Sequence, residues 1–210
     1  MNKFLNAAIQ ETLGTKGRVQ MRYQHPKEID SFQTLSEAGH AALPPSFRRR
    51  PLQKGRDLKL RTTTDQINGN ITARIVKSHV ADLHIYNPQF DYDCRITVNL
   101  EANMNRPELA PFENLVVDAP GDATGYKREQ AGIPDRKKDR LSYRHLAYSI
   151  DLTRVDVQGI AKYELELEVD ASVLRQQIAA LHEQRPSGYQ AVVAGFLDNA
   201  MFLMRQRTGQ

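Results

Sequence analysis

The chain has 210 residues, a length that suits one domain with a sizeable buried core, so we predict a single domain over residues 1–210. Its 29 Lys and Arg residues against 25 Asp and Glu residues leave a net charge of +4, which permits an anionic ligand without indicating a nucleic-acid coat. A lone cysteine, Cys94, excludes an internal disulfide, and no apolar run approaches the ~20 residues of a membrane span. We expect a soluble intracellular protein without membrane contact.

The N-terminal quarter is predicted to hold one helix, one strand and an irregular connection. Apolar residues at helical spacing predict a helix from Asn2 to Leu13, ended by Gly14. Alternation of apolar and polar residues predicts a strand from Arg18 to Gln24. The proline-containing segment from Glu28 to Gln53 is predicted to be irregular, with one or two helical turns.

The middle of the chain is predicted to form antiparallel strands. Alternation predicts a strand from Leu58 to Asp65, and Asn68-Gly69-Asn70 is a strong hairpin signal. Further strands are predicted over Ile71–His79, from Asp82 to Tyr86, and over Asp93–Glu101.

The C-terminal half is predicted to begin with a long surface loop, from Asn103 to Pro134, because this segment is rich in Pro, Gly, Asn and Asp. Three strands and two helices follow it: strands over Asp135–Tyr143, Ser149–Val155 and Tyr163–Asp170, and helices over Val173–His182 and Tyr189–Arg205.

Charged side chains are sorted by sign on two of these strands. Side chains alternate between the faces of a strand, so residues two apart share a face. The acidic set is Glu164, Glu166 and Glu168, and the basic set is Arg136, Lys138 and Arg140. Inside a barrel these charges need counter-charges, which a metal ion on the glutamates and a polyphosphate on the basic groups would supply. The pattern therefore indicates phosphoryl hydrolysis.

Alternation by itself does not show which face of the strands lies inside. The charges either point to solvent over an apolar sandwich core, or they line the lumen of a barrel. The single sign on each strand favours the lumen, because a solvated sheet face usually mixes signs. We predict an α+β fold, an antiparallel β-barrel of about eight strands with supporting helices outside.

A set of short motifs in a fixed order supports this interpretation. The motifs are Leu60-Arg61-Thr62-Thr63, Val76-Lys77, Ala81-Asp82-Leu83, the strand from Arg95 to Glu101, the basic strand, Ile150-Asp151-Leu152-Thr153 and the glutamate strand. In this order they resemble the fungal mRNA capping RNA 5′-triphosphatase (beta subunit), in the triphosphate tunnel metalloenzyme family. The resemblance covers the chain from about Arg18 to the C-terminal helix, and it implies an eight-stranded antiparallel tunnel that removes the γ-phosphate of nascent RNA.

The resemblance also implies roles for individual residues. Glu168 matches a direct metal ligand, and Glu166 and Glu164 match residues that support the metal or the cations of the tunnel. Five basic residues match the triphosphate-binding set: Arg61, Lys77, Arg136, Lys138 and Arg140. Glu101 resembles the glutamate that orients the attacking water, and Asp151 and Thr153 resemble a polar pair that fixes the basic side chains.

Cofactors and partners follow from the same resemblance. The expected cofactor is Mn²⁺ or Mg²⁺, and the expected ligands are triphosphate-ended RNA and nucleoside triphosphates. The expected partners are the RNA guanylyltransferase of the capping apparatus and RNA polymerase II, in the nucleus.

The chain departs from the family at its N-terminus. The family begins with a strand that carries two metal-binding glutamates as Glu-x-Glu, and nothing between Met1 and Arg18 matches it. We therefore expect the first family strand to be absent and catalysis by this chain to be impaired. The alternative function is a non-catalytic triphosphate-binding or scaffolding module of the capping machinery.

Overall fold

A computed structural model describes residues 5–7, 21–48, 58–89, 92–117 and 133–205. The strands in this part of the chain are β1 (Arg22–Gln24), β2 (Lys27–Thr34), β3 (Lys59–Asp65), β4 (Ile71–Ile85), β5 (Cys94–Asn103), β6 (Arg136–His145), β7 (Tyr148–Val157) and β8 (Ile160–Val169). The helices are α1 (Glu37–Ala41), α2 (Pro45–Arg48), α3 (Phe112–Leu115), α4 (Ala171–His182) and α5 (Tyr189–Arg205). Residues 5–7 are also helical, and the rest of the predicted N-terminal helix lies outside the described residues.

The strands form one antiparallel sheet of eight, in the order β5-β4-β3-β2-β6-β7-β8, with β1 beside β6. This sheet curls into a half-barrel with the helices around it, which confirms the predicted α+β class. Within the described residues β5 and β8 are the edge strands, and we call the open side between them the seam.

The long strand β4 corrects one prediction. Two strands were predicted over Ile71–His79 and Asp82–Tyr86, but the structure has a single 15-residue strand there. A β-bulge between His79 and Ala81 shifts the register against β5. An extra residue in a strand reverses the alternation of its side chains, and this reversal looks like a strand break in the sequence.

A second correction concerns β2, which occupies part of the segment predicted to be irregular. This strand lies between β3 and β6, near the centre of the sheet. One of its faces carries Asp30 and Phe32, and the other carries Ile29 and Gln33, so each face mixes polar and apolar residues. The period-two hydrophobic signal is therefore missing, although α1 and α2 confirm the predicted helical turns.

The hydrophobic core lies on the outer face of β3 to β5. Leu60, Val76 and Ala102 stand side by side on these three strands and are buried. Helices α1 to α3 and their flanking loops cover them with further buried residues: Leu35, Leu43, Phe47, Met104, Leu115 and Val116. Residues 103–117, predicted as surface loop, thus include core residues, while residues 118–132 lie outside the described part.

The two C-terminal helices are predicted correctly, and α5 is fixed to the sheet through Tyr148 of β7. The Tyr148 hydroxyl donates a 2.8 Å hydrogen bond to the carbonyl oxygen of Val192. A Cβ atom on Gly195 would lie 2.4 Å from the same hydroxyl oxygen, so only glycine allows this approach. No helix in the described ranges is long and apolar enough to cross a membrane.

We expect Gly195→Ala to lower the free energy of unfolding by about 1–3 kcal/mol, as overpacking of a close contact does. Alanine has the higher helix propensity, by about 1 kcal/mol, so an effect of propensity alone would have the opposite sign. Urea unfolding checks this, with Gly195→Ala/Tyr148→Phe as the control, because loss of the hydroxyl removes the closest contact. A double variant no more stable than the single variant would contradict the explanation.

Candidate functional site

The register of the sheet brings the predicted charged faces onto one surface. Arg140 and Ser142 of β6 lie beside Thr153 and Asp151 of β7, which in turn lie beside Glu164 and Glu166 of β8. On the other side, the same face continues through β2 and β3 to Lys77 and Glu101 of β4 and β5. The most buried charged groups of the sheet lie on this face, which is the inner face of the half-barrel.

A buried ion pair lies at the centre of the inner face. The Lys138 ammonium contacts the Asp30 carboxylate, and the two side chains are 6% and 0% exposed. Thr63 of β3 donates a 2.7 Å hydrogen bond to the other oxygen of Asp30. Burial lowers the pKa of Lys138, whereas the hydrogen bond and charge of Asp30 raise it and thereby favour the charged ammonium.

Asp151 holds a second cation nearby. Arg140 donates to one Asp151 oxygen at 3.0 Å, and Ser142 donates to the other at 2.6 Å. Next to Arg140 on β7, Thr153 is buried, and its hydroxyl oxygen has no hydrogen-bond partner within the described ranges. Asp151 therefore orients the Arg140 guanidinium on the inner face.

Arg61 of β3 differs from these paired cations. It lies on the inner face beside Phe32 of β2, and its positive charge acts on Lys138. It makes no hydrogen bond or ion pair with another residue in the part of the chain that the structure describes. Arg61, Lys138 and Arg140 form what we call the cation floor.

The carboxylates of β8 have two different environments. The Nη2 group of Arg136 donates to both oxygens of Glu164, at 2.8 and 3.0 Å, so an ion pair neutralises this glutamate. Glu168 has like charges around it instead. Partial burial raises its pKa, and the Glu166, Asp151 and Glu101 carboxylates raise it further, while Lys77 lowers it.

Lys77 and Glu101 lie side by side on the paired strands β4 and β5, and both charges act on Glu168. Their own charged atoms are 3.2 Å apart. An open cavity of about 1230 Å³ lies along the β8 edge of the sheet, and its lining includes Lys77, Glu164, Glu166 and Glu168 together with apolar residues of α5. The cavity thus has basic and acidic groups within reach of one ligand.

Comparison with known proteins identifies the family. Residues 1–208 match the family model described as "mRNA capping enzyme, beta chain". The chain belongs to this family.

Relatives in the capping enzyme beta chain family are longer than this chain. The chain is 29% identical over 214 residues to the mRNA-capping enzyme subunit beta of Cryptococcus neoformans, covering 98% of this chain and 43% of that protein. It is 25% identical to the subunit beta of Schizosaccharomyces pombe, covering 99% of this chain and 58% of that protein. The chain thus spans about half the length of these relatives.

The fold is also similar to that of a solved RNA triphosphatase. The structure of the S. pombe Pct1 RNA triphosphatase in complex with the Spt5 CTD is similar, with a TM-score of 0.70 and 25% sequence identity. The similarity covers 99% of this chain and 67% of that one. A second structure of the S. pombe Pct1 RNA triphosphatase has a TM-score of 0.67, and the similarity again covers 99% of this chain and 67% of that one.

The structure places all the site residues suggested by the resemblance on the inner face, in two groups. The floor side holds Arg61, Arg136, Lys138, Arg140, Asp151 and Thr153, and the seam side holds Lys77, Glu101, Glu166 and Glu168. Glu164 joins the two groups through Arg136.

Sequence reasoning missed Asp30 and its partner Thr63. The segment that contains Asp30 was predicted to be irregular, so no face could be assigned to its side chains. The one available signal was the spacing of Glu28 and Asp30, which repeats the two-residue period of charges in β6 and β8.

We expect Glu168→Gln to raise the melting temperature at about pH 7.5. The folded-state pKa lies above the ordinary 4.5, so the ionised side chain opposes folding above the folded-state pKa. This opposition decreases as the pH falls through that pKa, and the two proteins should converge near about pH 4.

The matched control for this prediction is Glu164→Gln on the same face of β8. This change breaks the ion pair with Arg136, so it should lower the melting temperature. A Glu168→Gln protein that melts no higher than the wild type at about pH 7.5 would show that Glu168 is not electrostatically opposed.

We expect Asp30→Asn to lower the free energy of unfolding by about 3–5 kcal/mol, because it leaves the Lys138 ammonium buried without a counter-charge. The double variant Asp30→Asn/Lys138→Met should lose less free energy of unfolding, because both charges are then absent. Denaturant unfolding measures both values, with Lys137→Met as the exposed control. Equal losses in the single and double variants would mean that the charge pair is not the cause.

Proposed function

We propose that this chain forms the triphosphate-binding core of an mRNA 5′-triphosphatase, which removes the γ-phosphate of nascent RNA during cap formation. The observation that carries the proposal is the cation floor of Arg61, Lys138 and Arg140. Three cations share a partly buried surface, yet only Lys138 and Arg140 have carboxylate partners within the described ranges. A polyphosphate supplies the missing negative charge and many acceptor oxygens.

The family assignment supports the same substrate class. The fold matches a solved RNA triphosphatase over 99% of this chain. The chain spans about half the length of its capping-enzyme relatives. The inner face adds independent support, because three cations cluster on the floor while Glu101, Glu166 and Glu168 lie near one another at the seam.

A divalent cation, Mn²⁺ or Mg²⁺, is part of the proposal. Glu168, Glu166 and Glu101 supply the carboxylate oxygens that such ions prefer, and the raised pKa of Glu168 marks a place where added positive charge is favourable. Among the described residues no three His, Cys, Asp or Glu side chains are grouped closely enough to enclose a metal. This donor set therefore fits an ion held by one or two carboxylates, with water and substrate phosphate completing its coordination.

When bound, the metal would neutralise charge on the phosphoryl oxygens. The residues of the chain perform the remaining steps. Arg61, Lys138 and Arg140 hold the phosphate oxygens, and the carboxylate of Glu101 accepts a proton from the attacking water. The new bond joins the water oxygen to the γ-phosphorus, and the bond to the β,γ-bridging oxygen breaks. The products are inorganic phosphate and diphosphate-ended RNA.

Lys77 has a supporting role in this scheme. Its ammonium contacts the Glu101 carboxylate at 3.2 Å and so holds this side chain in one orientation. Asp151 and Asp30 keep Arg140 and Lys138 in position, which leaves less reorganisation for the transition state.

The cellular setting is proposed from the relatives. Their names describe them as subunits of the mRNA-capping enzyme, which supports association with the RNA guanylyltransferase and a nuclear location. Pct1 is solved in complex with the Spt5 CTD, and we propose that this chain likewise works beside RNA polymerase II.

A second function remains, a non-catalytic triphosphate-binding module of the same machinery. It is favoured because no three His, Cys, Asp or Glu side chains in the described ranges are grouped closely enough to hold a metal ion. The two functions share the cation floor and differ only in turnover, so binding and hydrolysis are measured separately.

We expect tripolyphosphate to bind the chain, and Arg61→Ala to weaken that affinity roughly tenfold, as the loss of a charge-assisted contact predicts. Lys137→Ala removes the same charge from the outer face and should change nothing. Calorimetric titration measures both. No binding by the wild-type chain would overturn the proposal.

Release of γ-phosphate from triphosphate-ended RNA with Mn²⁺ then separates enzyme from binder. Hydrolysis that Glu168→Ala abolishes supports the triphosphatase. Tripolyphosphate binding without release under any divalent metal supports the non-catalytic module.

A further inference from the structure

Part of β4 and β5 extends beyond the rest of the sheet. Strand β3 pairs with β4 only as far as Val76, whereas β5 pairs with β4 from Ile75 to Ile85. Residues 77–85 and 94–101 therefore form a two-stranded extension, which we call the arm. One side of the arm continues the inner face of the half-barrel.

The inner side of the arm is polar and locally fixed. Thr97 donates a 2.6 Å hydrogen bond to Asp82, and His79 Nε2 lies 3.0 Å from the other Asp82 oxygen. These contacts span the β-bulge, and they lower the pKa of Asp82, first through the Thr97 hydrogen bond. The bulge is thus held in one conformation, which fixes the register of Arg95 opposite His84.

The cavity along the seam continues onto the arm. Its lining passes from Lys77 and Glu168 to Asn99, Arg95 and Tyr92. In the opposite direction, Asn103 at the end of β5 is not part of the lining. An elongated ligand with one end beside Lys77 and Thr153 therefore has open space towards Arg95.

The distance along the arm exceeds the length of a triphosphate. Arg95 precedes Glu101 by six residues, or ~20 Å of strand at about 3.3 Å per residue. A triphosphate whose γ-phosphorus lies near Glu101 cannot reach Arg95. The part of an RNA substrate that can reach it is the first nucleoside together with the phosphodiester that follows.

The chemistry of this end also differs from that of the cation floor. It presents one guanidinium, the half-buried ring of Tyr92 and the amide of Asn99, instead of several clustered cations. Arg95 makes no hydrogen bond or ion pair with any other described residue, although its charge acts on Asp82. One cation suits the single charge of a phosphodiester, an aromatic ring stacks on a base, and an amide binds base or ribose edges.

We propose that Tyr92, Arg95 and Asn99 form a nucleoside subsite that binds the first base and the first internucleotide phosphate of triphosphate-ended RNA. This inference rests on the proposed function of the cation floor. The cation floor alone cannot distinguish RNA ends from inorganic polyphosphate. The proposal assigns this distinction to the arm.

The test compares two probes, inorganic tripolyphosphate and a 5′-triphosphate-ended trinucleotide, by titration of the whole chain without divalent metal. The wild type should bind the trinucleotide more tightly. Arg95→Ala and Tyr92→Ala should each weaken trinucleotide binding roughly tenfold and leave tripolyphosphate binding unchanged. His84→Ala is the matched control, because His84 is beside Arg95 on the arm and does not line the cavity.

Two further measurements separate the contacts. Arg95→Ala should reduce the slope of trinucleotide affinity against salt by about one, whereas Tyr92→Ala should not. Tyr92→Phe keeps the ring and should retain the affinity, which makes a loss in Tyr92→Ala attributable to stacking. Melting temperatures of all variants check that they fold.

Each contrary outcome has a distinct meaning. Equal weakening of both probes would place Arg95 in the triphosphate site and overturn the nucleoside subsite. Unchanged trinucleotide binding in both alanine variants would also overturn it while leaving the cation floor intact. A wild-type chain that binds neither probe would overturn the proposed function, and this inference with it.

Discussion

The ion pair between Asp30 and Lys138 joins three strands at the centre of the half-barrel. Asp30 comes from β2 and Lys138 from β6, and Thr63 of β3 donates to the same carboxylate. An ammonium buried to this extent is stable only beside a counter-charge, since transfer of an isolated ion out of water is very unfavourable. The order β3-β2-β6 supplies that counter-charge, so the topology of the sheet is a condition for the cation floor.

Charged side chains have different neighbours on the two sides of the inner face. On the floor, Arg140 has its carboxylate in Asp151, and Arg136 has Glu164, so these cations are positioned before any ligand binds. On the seam, the Glu166, Asp151 and Glu101 carboxylates raise the pKa of Glu168, and Lys77 lowers it. An anion on the floor and a cation on the seam would complete both groups, which is the arrangement that phosphoryl transfer needs.

The bulge in β4 keeps polar side chains on the inner side of the arm. Without the extra residue, the inner face would present the opposite set of side chains beyond His79, and Asp82 would no longer meet Thr97. The arm carries the polar face of the barrel beyond the start of β3. The polar inner face therefore continues onto the arm, while Val76 and Ala102 on the outer face of the same strands pack against the helices.

The sequence by itself determined which side chains share a face on β6 and β8, because the two-residue period of a strand fixes this wherever the residues on a face have one character. It therefore predicted the basic and acidic sets, the two C-terminal helices and, through ordered motifs, the family. It failed at β2, whose faces mix polar and apolar residues, and at β4, where the bulge reverses the alternation. Only the tertiary structure decided that the charged faces point inward and that Asp30 lies against Lys138. Burial and counter-charges depend on contacts between strands distant in the sequence, and alternation within one strand carries no information about them.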